Sequence, residues 1–261
     1  MIEICMLASG SSGNAIYVAT DHTRILIDAG LSGKRLAAAL AQLGVHPDTL
    51  DALVLSHDHN DHICGAGVMA RRYKLPVYAT APTWLAGACK MGPLPQDACR
   101  ILPGSGLTEF ADLTVETFPV PHDAAGPVGF VFRHGNRTIA LATDLGVVTP
   151  VICEKLQHAD CLVLESNHDE TMVKNSTYPW SLKKRILGEN GHLSNTLAAQ
   201  CLAGIISPVT SHIVLAHLSE QNNLPQLACE TVGARLEQAG LGQLSLEVAK
   251  RHEPSCHIRF A

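Results

Sequence analysis

The sequence predicts an α/β (α+β) fold arranged as a four-layer αββα sandwich, and three observations lead there. Strand-like and helix-like stretches alternate at both ends of the chain around a strand-rich middle, which suits two sheets packed face to face with helices outside. The 261 residues are 46% hydrophobic and 16% charged, enough to bury roughly 70–75% of the unfolded surface in one large core without disulfides or structural metals. Proline and glycine are spread along the chain rather than gathered into a linker, and no repeat or low-complexity tract divides it. Residues 1–261 are therefore expected to form a single domain.

Taken in order, residues 3–7, 15–19 and 24–28 are runs of strand-forming residues. Ser32 offers an N-cap hydroxyl to a helix reaching Leu43, which Gly44 closes. Residues 52–56 form the next strand, followed by a helix over 64–73 and a short strand over 75–79. Strands dominate from 100 to 143, at 113–118, 128–133 and 138–143, with the turn signal His134-Gly135-Asn136 joining the last two. Helical periodicity then marks 149–156, 182–187, 194–206 and 225–239, with strands at 161–165, 211–216 and 244–249 between them.

Composition excludes several classes. No apolar run approaches the ~18 residues needed to cross a membrane. Residues 1–10 carry Glu3, lack a basic stretch and run into Ser and Gly, unlike a secretory signal, so the cytoplasm is the expected location. The nine cysteines are scattered with no CxxC pair, which argues against a zinc ribbon or redox motif. A net charge of −5 speaks against a broad basic face for nucleic acid. Fourteen histidines in so weakly charged a chain stand out.

The decisive stretch is Ser56-His57-Asp58-His59-Asn60-Asp61-His62. Given the chain's 14 His and 12 Asp, an H-x-H-x-D-H pattern arises by chance on the order of two times in a thousand. An extended backbone would set His57 and His59 on one side of the chain, with Asp61 and His62 following where it turns. Imidazole with carboxylate is a usual ligand set for zinc, manganese or iron. A two-metal site needs further donors, and each of three predicted strands ends in one: His122 after 113–118, Asp144 after 138–143, and His217 after 211–216.

With these motifs in this order, the sequence resembles the metallo-β-lactamase-fold hydrolase superfamily. The resemblance implies that His57, His59 and His122 hold one metal, that Asp61, His62 and His217 hold a second, and that Asp144 bridges them. It implies two divalent ions as cofactor, with zinc, manganese and iron all compatible. Asp28, at the end of the strand 24–28, matches the superfamily's first acidic motif, which usually supports the cluster loop by hydrogen bonding rather than binding metal, although a plain Asp on the approach to the following helix reads equally well. Only 72 residues lie between Asp144 and His217, too few for the inserted β-CASP domain of RNA-processing relatives.

Four further motifs resemble the YycJ/WalJ-type subfamily: Ser9-Gly10-Ser11-Ser12-Gly13-Asn14, Leu164-Glu165-Ser166-Asn167-His168-Asp169, Gly191-His192-Leu193-Ser194-Asn195, and His217-Leu218-Ser219-Glu220-Gln221-Asn222-Asn223. That likeness implies a nucleic-acid substrate, DNA ahead of RNA, and 5′ to 3′ exodeoxyribonuclease activity through a metal-bridging hydroxide oriented by Asp61. Glu165 and His192 also resemble the Glu and His pair of the more distant tRNase Z branch. A protonated His near the leaving oxygen, steadied by a carboxylate, suits phosphodiester cleavage. His192 could instead be a neighbour of the helix cap Ser194. His168 could line the pocket or merely occupy its loop. Ser11, Ser12 and Asn14 sit where backbone N–H groups could cradle phosphate, although Ser/Gly-rich loops are commonly plain turns.

Basic runs at 71–74, 183–185 and 250–251 read as solvated faces, with Lys183 to Arg185 the one near enough to His192 to touch substrate. The remaining seven histidines have no ligand spacing. Two alternatives stay open. The same site could hydrolyse a small cyclic phosphodiester or a thioester, or the chain could be a non-catalytic metal-binding regulatory protein. Neither a membrane nor a protein partner is indicated.

Overall fold

Side-chain alternation decides which way each strand faces. In β1 (Ile2–Ala8), Ile2, Ile4 and Met6 enter one core cluster while Cys5 and Leu7 enter another, as a period of two requires. The computed structural model, which describes residues 1–261, repeats this pattern through two seven-stranded sheets. The first sheet continues with β2 (Ala15–Thr20), β3 (Arg24–Ile27), β4 (Ala52–Val54), β5 (Val77–Ala79) and β6 (Cys99–Ile101). The second contains β7 (Gly106–Phe110), β8 (Leu113–Pro119), β9 (Val128–His134), β10 (Arg137–Ala142), β11 (Cys161–Glu165), β12 (His212–Ala216) and β13 (Ser245–Val248). The last strand, β14 (Ser255–Phe260), returns to the first sheet and pairs antiparallel with β1.

The orders β14-β1-β2-β3-β4-β5-β6 and β7-β8-β9-β10-β11-β12-β13 share one plan. Each sheet begins with three antiparallel pairings and ends with three parallel ones. Nine helices accompany them: α1 (Gly33–Gln42), α2 (Asn60–Ile63), α3 (Ala66–Tyr73), α4 (Ala81–Met91), α5 (Pro150–Leu156), α6 (Glu170–Asn175), α7 (Trp180–Ile186), α8 (Asn195–Ile205) and α9 (Pro225–Gln238).

Three core clusters make the four layers. Ile4, Val18 and Ile25 of the first sheet meet Phe130, Phe132 and Val163 of the second between the sheets. Leu7, Tyr17 and Leu53 face outward against Leu36 and Leu40 of α1 and Met69 of α3. Val131, Leu162 and Leu215 face outward against Leu156 of α5, Leu202 of α8 and Val232 of α9. Each fully buried aliphatic or aromatic side chain here contributes about 1.5–3 kcal/mol of hydrophobic stabilisation. The chain therefore has the αββα arrangement expected from its strand and helix order.

Several elements depart from the sequence reading. β3 stops at Ile27 because Asp28 takes a left-handed backbone (φ 60°), and β4 stops at Val54. Helix α4 was not foreseen, although the Thr80 hydroxyl accepts the Thr83 N–H and Pro82 lies in its first turn, both readable start signals. The short strands β6 and β7, helix α6 and the terminal strand β14 are also additional. The β9–β10 connection is the two-residue turn Gly135-Asn136, with Gly135 at φ 57°. No helix is long and apolar enough to cross a membrane.

Candidate active site

The site forms where strands of both sheets end. Asp28 follows β3, His57 and His59 follow β4, His122 follows β8, Asp144 follows β10, Glu165 ends β11 and His217 follows β12. Three of these, Asp28, Asp144 and His217, sit at φ 60°, 58° and 56°. Such backbones cost of order 1–2 kcal/mol for residues other than glycine, and here they turn Asp144 and His217 off their strands toward the cleft and Asp28 toward Ser56 and His62 behind it. His57 and His59 lie beyond the end of β4, so loop geometry rather than strand alternation brings their rings to 4.7 Å between centroids. Asp61 and His62 are carried by α2.

Four overlapping sets of donor atoms could hold a metal ion: His57, His59 and His122; Asp61, His62 and His217; His57, His62 and Asp144; and Asp144, Glu165, His192 and His217. Within each set the donor atoms lie within 4.8 Å of one another. His57 Nε2, His217 Nε2 and Asp144 Oδ2 are buried with no hydrogen-bond partner. A buried polar atom left unpaired costs about 1–3 kcal/mol, and each of these three atoms belongs to a residue in at least two of the donor sets, which suits cation ligands.

Neighbouring groups fix which ring nitrogen stays available. His62 donates Nδ1–H to Asp28 Oδ2 at 2.7 Å, which turns Nε2 toward Asp144 Oδ2 at 3.3 Å and Asp61 Oδ2 at 3.7 Å, with the Asn14 amide nitrogen 3.0 Å from it. Asp28 is held in turn by the Ser56 N–H and hydroxyl, both at 2.8 Å. His122 donates Nδ1–H to Gly191 O at 3.0 Å, which leaves Nε2 facing His59 Nδ1 at 3.3 Å. Carboxylates or carbonyls behind imidazoles are the usual way to orient histidine ligands.

The charges follow from these contacts. Burial opposes the cationic form of His62, but Asp144 and Asp28 outweigh it and push the ring up to about 9. Burial also opposes a charged His217, which Asp144, Asp61 and Glu165 nevertheless raise well above the ordinary 6.5. His57 moves the other way, well below 6.5, because burial and its histidine neighbours both disfavour a charge there. Asp61 is held ionised against burial by His217 and His62.

Glu165 links the cluster to the cleft wall. It is fully buried, and its Oε1 accepts from His217 Nδ1 at 2.7 Å and from His192 Nδ1 at 2.8 Å. Its Oε2 accepts the Leu145 and Leu193 N–H groups, each at 3.0 Å. Burial alone would raise this carboxyl, but His192 and His217 hold it below the ordinary carboxylate range. The structure thus brings Glu165 and His192, both candidates in the sequence, into direct contact. The second bond, to His217, was not foreseen, because the partners are 52 residues apart.

A cleft of about 250 Å³ opens over the cluster, lined among others by Ser11, His59, Asp61, Asp144, Tyr178, Arg185, His192, His217 and Ser219. Ser11 therefore reaches the cleft, whereas Ser12 does not. Asn14 is buried: its Oδ1 accepts the Gly10 N–H at 2.8 Å, and its own N–H donates to Asp61 O at 2.7 Å. With the Gly13 N–H also bonded to Gly10 O, this loop braces the cluster, and those N–H groups are not free to cradle an anion. His168 is buried away from the cleft, and burial lowers its ring to about 4.

Supports that the sequence did not reveal include Ser9, whose Oγ accepts the His217 N–H at 2.8 Å, and Asn167, which donates to His217 O at 2.8 Å. Arg185 of the 183–185 run lines the cleft and forms a two-point ion pair with Asp123, while Lys183 is tied to Lys174 O at 2.8 Å.

Comparison with known proteins agrees with this geometry. A family model described as the beta-lactamase superfamily domain matches residues 23–218. Exodeoxyribonuclease YycJ of Bacillus anthracis is 43% identical over 241 residues, covering 92% of this chain and 91% of that protein. Exodeoxyribonuclease WalJ of Streptococcus pneumoniae is 38% identical over 239 residues, covering 91% and 89%. The crystal structure of the metallo-beta-lactamase fold protein YhfI from Bacillus subtilis superposes with a TM-score of 0.72 at 14% identity, over 98% of this chain and 99% of that one, a likeness of fold. By family match, relatives and fold together, the chain belongs to the beta-lactamase superfamily and, within it, to the YycJ/WalJ family.

Proposed function

We propose that this chain is a metal-dependent phosphodiesterase, an exodeoxyribonuclease that shortens DNA in the 5′ to 3′ direction with two divalent ions in the cleft. In this reading His57, His59 and His122 hold one ion, Asp61, His62 and His217 hold the other, and Asp144 serves both. Bound dications lower the pKa of water and offset phosphate charge; two of them would bring the chain's net charge from −5 to about −1.

The protein groups then have separate tasks. Asp28 and Glu165 keep the Nδ1 protons of His62 and His217 in place, which reserves Nε2 for the ions. Asp61, held ionised, orients the attacking water. His192, whose Nδ1–H is anchored on Glu165, presents Nε2 to the cleft to give a proton to the departing oxygen.

The observation that carries this reading is one buried carboxylate shared by a cluster histidine and a cleft histidine, Glu165 between His217 and His192. The substrate class is supported by the exodeoxyribonuclease names of the two relatives. The test is product sizing on 5′-labelled single- and double-stranded DNA and RNA with zinc, manganese or iron supplied in turn. Labelled mononucleotides released first from DNA are expected. Internal fragments would replace the exonuclease reading with an endonuclease, and full turnover by His59→Ala or Asp61→Ala would overturn the site.

A further inference from the structure

Helix α7 carries no fully buried residue, and none of its side chains joins the three core clusters. Leu182 and Ile186, one turn apart, line the cleft instead, and Tyr178, four residues before Leu182, lines it with them. All three are half-buried. Every other lining residue is polar, charged or glycine, the cluster's own carboxylates and imidazoles among them. An apolar stripe on a helix ordinarily packs against a core. This one looks onto the reacting centre, so what covers it comes from the substrate.

The wall is fixed to the catalytic loops. A Cβ on Gly191 would lie 2.2 Å from Arg185 O and 2.3 Å from Ile186 O, so the backbones touch there. The His192 N–H donates to Ile186 O at 3.0 Å, which joins the last residue of the wall directly to His192. Two cations of α7 serve the same attachment: Arg185 pairs with Asp123, next to His122, and Lys183 reaches Lys174 O. The cleft itself, at about 250 Å³, falls below the ~300–1,000 Å³ of pockets that enclose a whole ligand, which suits one residue of a polymer.

We propose that Tyr178, Leu182 and Ile186 form the subsite for the nucleobase on the leaving side of the scissile bond, with the base laid on the Tyr178 ring and the two aliphatic side chains. The proposal rests on the nuclease reading above and names the nucleotide that the cleft grips. His192 protonates the departing oxygen in that reading, and Ile186 is bonded to His192, so the nucleoside carrying that oxygen lies nearest the wall. In a 5′ to 3′ exonuclease that breaks the bond between phosphorus and O3′, this is the terminal nucleotide. The water oxygen joins phosphorus, the phosphorus–O3′ bond breaks, O3′ takes the His192 proton, and the released nucleotide leaves with a 3′-hydroxyl. Every base offers a π-face, so a wall of this kind accepts any sequence.

The test uses the full chain, supplied with the metal that supports turnover, and 3′-labelled single-stranded oligothymidines. One strand is intact, one has an abasic tetrahydrofuran as its 5′-terminal residue, and one has it as the second residue. Loss of the terminal base should lower kcat/KM for the first cleavage by about tenfold or more, and loss of the second base should cost less. Tyr178→Ala should slow cleavage of the intact strand by a like factor and so close the gap between the intact and terminally abasic strands. Tyr178→Phe, which keeps the ring, should restore that gap, and Leu182→Ser should narrow it. The ratio is taken within each variant, so any loss of folded protein cancels. An unchanged ratio in Tyr178→Ala, or a parent that cuts intact and terminally abasic strands equally, overturns the subsite and leaves the nuclease reading standing. A larger penalty at the second residue also overturns it, because the base contact then lies on the other side of the scissile bond. A parent that cuts no DNA overturns both.

Discussion

Replacing Glu165 by Gln preserves the shape of a side chain with no solvent exposure and removes its charge. The carboxylate receives four donors, two imidazole Nδ1–H and two backbone N–H. A glutamine oxygen can face only one of those pairs, and its amide must face the other. The backbone donors are fixed, so the imidazoles must move their protons to Nε2, the nitrogen that faces the cluster on His217 and the cleft on His192. Two hydrogen bonds to a charged acceptor, about 1.5–3 kcal/mol each, are lost, partly offset by the new amide contacts. We expect a net destabilisation of about 3 kcal/mol in the metal-free protein, or roughly 6–12 °C in Tm at this size. Metal affinity should fall about 10–100-fold, as for other carboxylates that orient a ligand histidine. Thermal melts in chelator, competition titration with zinc, and turnover on a labelled oligonucleotide read the three effects. Metal affinity and turnover within twofold of the parent would refute the idea that Glu165 sets the protons of both rings.

Other outcomes follow from the same geometry. His192→Asn should lower kcat on DNA by about 10²–10⁴ while leaving metal affinity within a few fold, with a smaller loss on an aryl phosphodiester whose leaving group needs no proton; equal losses on both substrates would remove His192 from that role. His168, lowered by burial to about 4 from 6.5, stays neutral in the folded chain while the unfolded chain takes up a proton. Its contribution is complete above pH 6.5 and declines toward pH 4, by about 3 kcal/mol in all, so His168→Gln should flatten urea-unfolding stability across that window. An unchanged slope would show that another group titrates there. Gly146→Ala would place a Cβ 2.2 Å from Gly188 O and 2.4 Å from Glu189 O, so it should cost at least 1–3 kcal/mol and displace the segment carrying Gly191 and His192, whereas Gly233→Ala in α9, with nothing nearer than 3.8 Å, should stabilise by about 0.5–1 kcal/mol. Urea midpoints of the two variants, with turnover of the first, check this contrast.

The parts legible in the sequence were those whose chemistry is local. His57 to His62 carries its donors within one short loop and its helix, and the buried strands β11 and β12 announce themselves as continuous apolar runs. His122, Asp144 and His217 could be singled out as candidates because each lies within three residues of the end of a readable strand. Contacts between distant segments were not legible. Nothing near Glu165 says that it meets His217, and nothing near Ser255–Phe260 says that it pairs with the first strand. In the opening Ser/Gly loop, composition shows that the chain turns, whereas the bracing of Asn14 depends on Asp61, 47 residues away. The edge strands β6 and β7, three and five residues long with exposed positions, carry too little pattern to be separated from loop.

The left-handed backbones at Asp28, Asp144 and His217 bear on how this protein could lose its chemistry. At most sites, deleting a buried charged or aromatic group leaves a hole and a strained neighbour. At these three positions glycine releases backbone strain, and asparagine tolerates the conformation nearly as well, so part of the cost of losing the side chain is repaid by the main chain. Asp144→Asn, and even Asp144→Gly, should therefore yield folded proteins with an intact cleft and no turnover, convenient for holding a substrate in place. By the same reasoning, lineages descended from such a chain can shed its reactivity in single substitutions and keep the sandwich as a binding scaffold.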